Sequence, residues 1–278
     1  MSLKFGITGY TGSLGRIIAK SHNRVKYFYF KGDIRDRKKV FNWIENKKFD
    51  AIIHLAAIVP IKVVNANKKK AYQVNYLGTK NIIDAIKKRN IKWFFFASTS
   101  HVYKSKKSKI SESSKKKPIS YYGKTKYLAE KYITKELRKN KINYCIGRIF
   151  STTNKNQKKN YLVPDLKNKI KKSKQKIILK NLNHYRDFIS MKDITKIIFS
   201  LYKKNFNGII NIGSGKSIYL KDIAKVICKK YNKIEKFVDI STDEVYGESM
   251  IDDSKEKTEN SILCPTNPYA STKGAAEM

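Results

Sequence analysis

The chain has 278 residues, of which 41% are hydrophobic and 12% aromatic. That is enough to bury a core and excludes a disordered composition. Lys and Arg number 61 against 22 Asp and Glu, a formal charge of +39. The excess is mostly Lys spread along the whole chain, which favours anionic substrates and weak RNA contact but no specific nucleic-acid partner.

In chain order, residues 3–8 read as a short buried strand, followed by the glycine-rich turn Thr8-Gly9-Tyr10-Thr11-Gly12-Ser13-Leu14-Gly15 and a helix. Residues 25–30 form a second strand, and Asp36 is placed to cap the next helix, where Val40, Phe41 and Ile44 share a face. Residues 51–57 are a third strand, apolar apart from His54; 51–61, the longest apolar stretch, is too short to cross a bilayer and contains His54 and Pro60. A helix over 71–89, a strand over 93–97, a helix over 122–139 and a strand over 142–149 follow. This alternation predicts an α/β doubly wound parallel sheet. Beyond it lie a polar, Lys-rich run over 151–180, a short strand over 206–212 and a helix over 222–230. Three domains are expected: a dinucleotide-binding domain at 1–150, a small, incomplete substrate lobe at 151–236, and a further segment at 237–278. No leader peptide is evident, and Cys145, Cys228 and Cys264 lack zinc or disulfide spacing. The expectation is a cytoplasmic chain with no membrane segment and no metal.

The glycine turn stands between a strand and a helix, where backbone N–H groups can cradle a pyrophosphate. No acid ends the second strand, and Lys31 follows it. An acid there binds the adenine ribose 2′-hydroxyl, whereas a cation accepts a 2′-phosphate. The choice between NAD and NADP therefore stays open, leaning to NADPH or to use of both. Gly213-Ser214-Gly215-Lys216-Ser217 lacks the upstream glycine of a phosphate-binding P-loop and reads as a strand-end turn. Tyr122 and Lys126 share a helix face, so a lysine ammonium near the phenol is expected to lower its pKa.

Taken together, the GxxGxxG spacing, Gly32-Asp33-Ile34-Arg35-Asp36, His54-Leu55-Ala56-Ala57, Asn75-Tyr76-Leu77-Gly78-Thr79 and the Tyr122/Lys126 pair resemble the extended short-chain dehydrogenases/reductases, the NAD-dependent epimerase/dehydratase family. The resemblance spans about residues 3–230 and implies a Rossmann fold holding NAD(P)(H). It implies that Gly9, Tyr10, Thr11, Gly12, Ser13, Leu14 and Gly15 carry the pyrophosphate turn. Asp33 and Ile34 would flank the adenine, and Leu55, Ala56, Ala57 and Asn75 would line the cofactor. Thr99, Tyr122 and Lys126 would form the catalytic triad, with Tyr122 exchanging the proton and Lys126 holding the cofactor ribose. Dehydratases carry Asp-Glu after the Thr99 position; here Ser100-His101 stands there. The likeness therefore points to a 4-keto reductase or C4 epimerase on a nucleoside-diphosphate hexose, with His101 as an acid/base candidate. Arg186, in Arg186-Asp187-Phe188-Ile189, and Arg148 would bind the substrate diphosphate. Ser151 stands where the family commonly has a substrate-binding Asn. By analogy the chain is a homodimer.

Residues 237–278 repeat the reaction-centre segment. Thr242, Asp243, Glu244, Tyr269 and Lys273 parallel the region from Phe94 to Lys126 and resemble dTDP-glucose 4,6-dehydratase. No glycine-rich turn precedes this copy. Two other readings therefore stand beside the enzyme: an inactive, truncated or fused dinucleotide-binding relic, and a 4,6-dehydratase-related protein.

Overall fold

The computed structural model describes residues 2–233 apart from Asn90, Lys107, 155–156, 158–160, 174–177 and Lys180. The repeated segment 237–278 lies outside the described residues. Two compact units divide the chain: 1–168 with 185–218, and 169–184 with 219–278.

The first unit opens with β1 (Leu3–Thr8), α1 (Ser13–Ile18), β2 (Val25–Tyr29), α2 (Arg37–Glu45) and β3 (Ala51–His54). As the sequence suggests, Asp36 caps α2, accepting from Lys39 N at 3.0 Å. Next come α3 (Ile61–Ala66), α4 (Lys68–Tyr72), a π-helical turn (Gln73–Gly78) and α5 (Thr79–Ile86). The single helix expected over 71–89 is thus an α–π–α run. Its wide turn turns Asn75 inward to bond Ile58 and Thr125. Then follow β4 (Trp93–Thr99), a 3-10 turn (Ser100–Val102), α6 (Tyr121–Lys139), β5 (Asn143–Ile149) and β6 (Ser151–Thr153). After α7 (Leu162–Lys172) come β7 (Tyr185–Ser190), α8 (Met191–Lys203), β8 (Gly208–Ile212) and β9 (Ser217–Tyr219).

Six strands make one sheet in the order β2-β1-β3-β4-β5-β8, and every pairing is parallel. The sheet is doubly wound, with a single strand on the far side of β1, whereas the commonest dinucleotide-binding order has two. Its two faces alternate residue by residue, as pleating requires. On β4, Phe94 and Phe96 point into a core with Ile44, Ile82, Ile86, Ile133 and Leu137. Trp93 and Phe95 point the other way, into a core with Phe5, Ile18, Ile194 and Ile198. Burial on both sides explains why these strands read as unbroken apolar runs.

Helix α6 is fixed at both ends and along its length. Ser120 caps it, accepting from Gly123 N at 3.1 Å. Lys87, the C-cap of α5, reaches Glu136 of α6 at 2.6 Å and Asp84 at 3.3 Å, while Tyr132 Oη donates to Asp84 at 2.5 Å.

In the second unit, α9 (Leu220–Lys230) buries Leu220, Ala224 and Cys228. Tyr219 Oη meets Asn183 Oδ1 at 3.2 Å, and Lys233 Nζ donates to Ser173 O at 2.8 Å.

Candidate active site

The glycine turn leaves β1 with Gly9 at φ +71°, in the left-handed region. A Cβ there would lie 2.6 Å from Ala56 N, so only glycine lets the turn pass this close to the end of β3. Gly12 N donates to Gly9 O at 3.0 Å, and Thr11 and Gly12 stay exposed. Tyr10 packs on Tyr29 of β2 with ring centroids 4.8 Å apart. The result is a bare backbone cradle at the carboxyl ends of β1 and β3, which suits a pyrophosphate. Leu55, Ala56 and Ala57 are partly open beside it.

Beneath the cradle is a polar chain that the motifs did not single out. Thr79 Oγ1 donates to Asn75 O at 2.8 Å, so it accepts from His54 Nε2 at 2.9 Å. His54 Nδ1 is then the acceptor for Thr8 Oγ1 at 2.6 Å, and Thr8 Oγ1 accepts from Ala56 N at 3.3 Å. The network assigns one neutral tautomer. Burial, with Lys126 nearby, pushes the His54 pKa down to about 3. A histidine inside the apolar run 51–57 was the signal for this bridge.

Asn75 departs from the sequence expectation. It is fully buried, and its amide is spent on Ile58 N and O (2.7 and 3.0 Å) and Thr125 Oγ1 (3.2 Å). It holds the loop after β3 against α6 and does not present that amide to a cofactor. Ile34 is also buried, under Gly78, whereas Asp33 is exposed and clasped by Arg35 at 2.6 Å.

The reaction-centre residues converge where β4 ends and α6 begins. A Cβ on Gly123 would lie 2.3 Å from His101 O, so this glycine permits the close approach. The His101 and Tyr122 ring centroids are 6.0 Å apart. Thr99 Oγ1 accepts from His101 N at 3.3 Å, and its side chain also hydrogen-bonds Tyr122. Burial, reinforced by Tyr161 nearby, holds the Tyr122 phenol above its ordinary range, and the Thr99 bond only partly opposes this. Lys126 is 2% exposed, with Nζ 3.9 Å from the Phe96 ring centroid. Burial lowers its pKa to about 7, against the pull of Glu130.

The expected lowering of the Tyr122 phenol by Lys126 is therefore corrected. Withdrawal from water disfavours phenolate and ammonium alike, and desolvation dominates both. Burial also lowers the His101 pKa, with a further push from the charge of Arg186. Arg186 is partly buried on β7, which lowers its own pKa. Thr99, His101, Tyr122, Tyr161 and Arg186 thus share one neighbourhood; Tyr161 was not read from the sequence.

Arg148 does something other than expected. Its side chain is 2% exposed and paired with equally buried Glu130, Nη2 to Oε2 at 2.7 Å and Nε to both oxygens at 3.2 Å. Nη1 donates to Tyr103 Oη at 2.9 Å and Glu112 O at 3.2 Å. Glu130 also accepts from Ser98 Oγ. Arg148 is committed to this cluster behind α6, so the expectation of a substrate contact is withdrawn. The 213–217 turn is likewise occupied. Asp187 accepts from Ser214 N at 2.7 Å and Gly215 N at 2.8 Å, consistent with a strand-end turn.

Among the described residues no helix is long and apolar enough to cross a membrane.

Comparison with known proteins places this geometry. A GDP-6-deoxy-D-talose 4-dehydrogenase of Aggregatibacter actinomycetemcomitans is 30% identical over 238 residues, 82% of this chain and 80% of that protein. The fold matches RMD of Pseudomonas aeruginosa, complexed with NADPH, with TM-score 0.77, 18% identity and 85% of each chain covered. It also matches a UDP-glucose 4-epimerase of Thermus thermophilus, complexed with NAD, with TM-score 0.72, 17% identity and 84% of each chain covered. The family model for NAD dependent epimerases/dehydratases matches residues 6–213 and 219–278. The chain, with its glycine cradle, parallel sheet and Tyr122/Lys126 helix, belongs to the NAD dependent epimerase/dehydratase family.

Proposed function

We propose that the chain is an NAD(P)-dependent oxidoreductase or epimerase acting at C4 of a nucleoside-diphosphate (deoxy)hexose. The observation that carries this reading is the convergence of Thr99, His101 and Tyr122, with Arg186 near enough to bear on the charge of His101. Similarity to the GDP-6-deoxy-D-talose 4-dehydrogenase named above supports C4 as the site of reaction.

Each residue has a role set by its surroundings. The glycine cradle would hold the pyrophosphate, and Lys126 the nicotinamide ribose. The dinucleotide, when bound, supplies or takes the hydride at C4. Tyr122 is protonated at neutral pH because burial disfavours its phenolate, so it is poised to donate to a C4 carbonyl oxygen as an alcohol forms. Thr99 shares that oxygen and keeps the phenol aimed. His101 is neutral near pH 7 and can accept a proton from a carbon beside the carbonyl, the step that inversion at C3 or C5 of a 4-keto sugar requires, whereas inversion at C4 itself needs only hydride return to the opposite face. Arg186 offers a guanidinium for the diphosphate. Ser100 and His101, standing where Asp and Glu serve elimination of water, weigh against a complete dehydratase.

A second reading is favoured by one observation. Residues 219–278 carry another family match, and within them Thr242, Asp243, Glu244, Tyr269 and Lys273 repeat the reaction centre. On that reading this chain binds dinucleotide without turnover.

Thermal unfolding with NADH, NADPH and nucleoside diphosphates, followed by turnover of 4-keto sugar nucleotides, separates the two. Ligands of the native state raise the midpoint by mass action. The enzyme reading expects shifts with both ligand classes, and a fall in kcat of about 10²- to 10⁴-fold in Tyr122→Phe with dinucleotide binding kept. Full turnover by Tyr122→Phe overturns the assignment. Dinucleotide binding with no turnover of any 4-keto substrate favours the second reading.

A further inference from the structure

Strand β8 is the sheet edge beyond β5, and an open groove of about 470 Å³ runs between it and α6. The groove lies within the first compact unit and shares no residue with the glycine cradle or with Thr99, His101 and Tyr122. One stripe of α6 forms its wall, with Tyr127, Lys131, Lys135 and Arg138 recurring at three- and four-residue spacing. Lys116 joins from the segment before α6, fixed by an antiparallel bridge to Tyr103, and Ile209 joins from β8. The floor is the buried pair of Glu130 and Arg148.

The charges of this groove do not balance. Lys131, Lys135 and Arg138 are exposed and follow one another at helical neighbour positions, a like-charge run that destabilises an isolated helix. The two acids of α6 are committed elsewhere: Glu130 to Arg148 at 2.7 Å, and Glu136 to Lys87 at 2.6 Å. Glu112, the one acid of residues 103–120, accepts from Asn211 N at 2.7 Å. Strands β5 and β8 carry no acid. Every acid of the elements that build the groove thus has a nearer partner than the four cations lining it.

We propose that this groove binds a small phosphorylated organic anion, its di- or polyphosphate held by Lys116, Lys131, Lys135 and Arg138 and its organic part laid on Tyr127 and Ile209.

The donors are prepared for such a ligand. Arg138 Nε donates to Tyr144 Oη at 3.0 Å, which fixes the guanidinium and leaves its Nη groups to make charge-assisted bonds to phosphate. Lys131 Nζ lies 4.8 Å from the Tyr127 ring centroid, so a cation and an aromatic face stand side by side in the wall. Tyr127 and Ile209 are partly buried and give that wall an apolar part that inorganic phosphate would not use. The volume falls in the range of about 300–1,000 Å³ usual for sites of small organic ligands. A long polyanion such as RNA would instead spread over the lysines found along the whole chain, with no need of a bounded groove.

The test is acetylation of lysines in the full chain, read residue by residue by mass spectrometry, with pyrophosphate or ADP added and ionic strength held constant with KCl. At a lysine inside a saturable site the rate falls by 1 + [L]/Kd, about tenfold at ten times Kd. The expected result is such protection at Lys131 and Lys135, at lower concentration with ADP than with pyrophosphate, while Lys20 and Lys203, exposed elsewhere on the same unit, keep their rates. Because the readout is local, anion binding at the glycine cradle leaves it unmoved. Arg138→Gln should raise the concentration needed about tenfold. Lys135→Gln, read at Lys131, repeats that test without disturbing Tyr144. Equal protection of all four lysines would show diffuse attraction of polyanions and overturn the proposal. Absence of protection, or protection unchanged in both variants, would overturn it too. Pyrophosphate acting as well as ADP would overturn the role given to Tyr127 and Ile209.

Discussion

Lys126 is a buried cation at the centre of the candidate site, so removing it should stabilise the protein while abolishing its chemistry. Burial takes its pKa from 10.5 to about 7. The opposing effect of Glu130 is already included in that value. Below pH 7 the native state must carry a poorly solvated ammonium, at a cost of about 3 to 5 kcal/mol relative to the solvated lysine of the unfolded chain. Methionine keeps the long apolar stem among Phe96 and its neighbours and is an equally good helix former. Between pH 7 and 10.5 the unfolded wild type binds a proton that the native state has released, so wild-type stability rises with pH across that window. Lys126→Met removes this dependence. Urea unfolding of both proteins from pH 6 to 10 should show the variant more stable at pH 7, with the gap closing as pH rises. A gap that is absent at pH 7, or that stays constant to pH 10, would refute the view that desolvation of Lys126 dominates its energetics.

Two further predictions concern the buried polar groups. Arg148→Met leaves Glu130 buried without its cation and should cost about 3–5 kcal/mol, read as a lower urea midpoint at constant slope. The double variant Glu130→Leu/Arg148→Met should recover part of that loss, and a double variant no better than Arg148→Met would refute the pairing argument. His54 has a pKa of about 3 in the native state, so as pH falls through about 6.5 only the unfolded chain takes up the proton and stability declines. His54→Gln should flatten this decline, which is about 3 kcal/mol between pH 7 and pH 4. An unchanged slope would show that His54 is not the group titrating.

What the sequence disclosed follows from where the determinants lie. The inner strands β3, β4 and β5 were readable because burial on both faces leaves a contiguous apolar run such as Trp93 to Phe96, whereas the short, partly exposed β6, β7 and β9 were not anticipated. The glycine turn was readable because Gly9 answers to local backbone geometry. Helix α8 was missed although Ser190 caps it and Ile194, Ile198 and Leu201 recur on one face. Its lysines, Lys192, Lys196 and Lys203, lie on the exposed face, so this period was present in the sequence and went unread. Helix α7 had a weaker signal, since Leu166 and Ile170 are its main buried anchors within a lysine-rich run. The π-helical turn has no local signature: it is set by Asn75 bonding to Ile58 and Thr125, residues 17 and 50 positions away. The role of Arg148 was unreadable for the same reason, because its partner Glu130 sits on a helix and its other acceptors on a strand-end loop.

These long-range contacts explain why the motif residues alone did not give the electrostatics of the site. Tyr122, Lys126 and Glu130 recur every four residues on α6 and form one buried stripe. Spacing suggests that the lysine acidifies the phenol. Burial instead keeps the phenol protonated and brings the lysine close to neutrality, while Glu130 divides its charge between Lys126 and Arg148. The charge of Lys126 therefore depends on how firmly Arg148 holds Glu130. A weakened pair would free negative charge beside Lys126 and raise its pKa, whereas loss of Glu130 would lower it further. Activity that requires a charged Lys126 should then fail at lower pH in Glu130→Gln than in the wild type. On this reading Glu130, behind the motif, helps to set the pH at which Lys126 loses its charge.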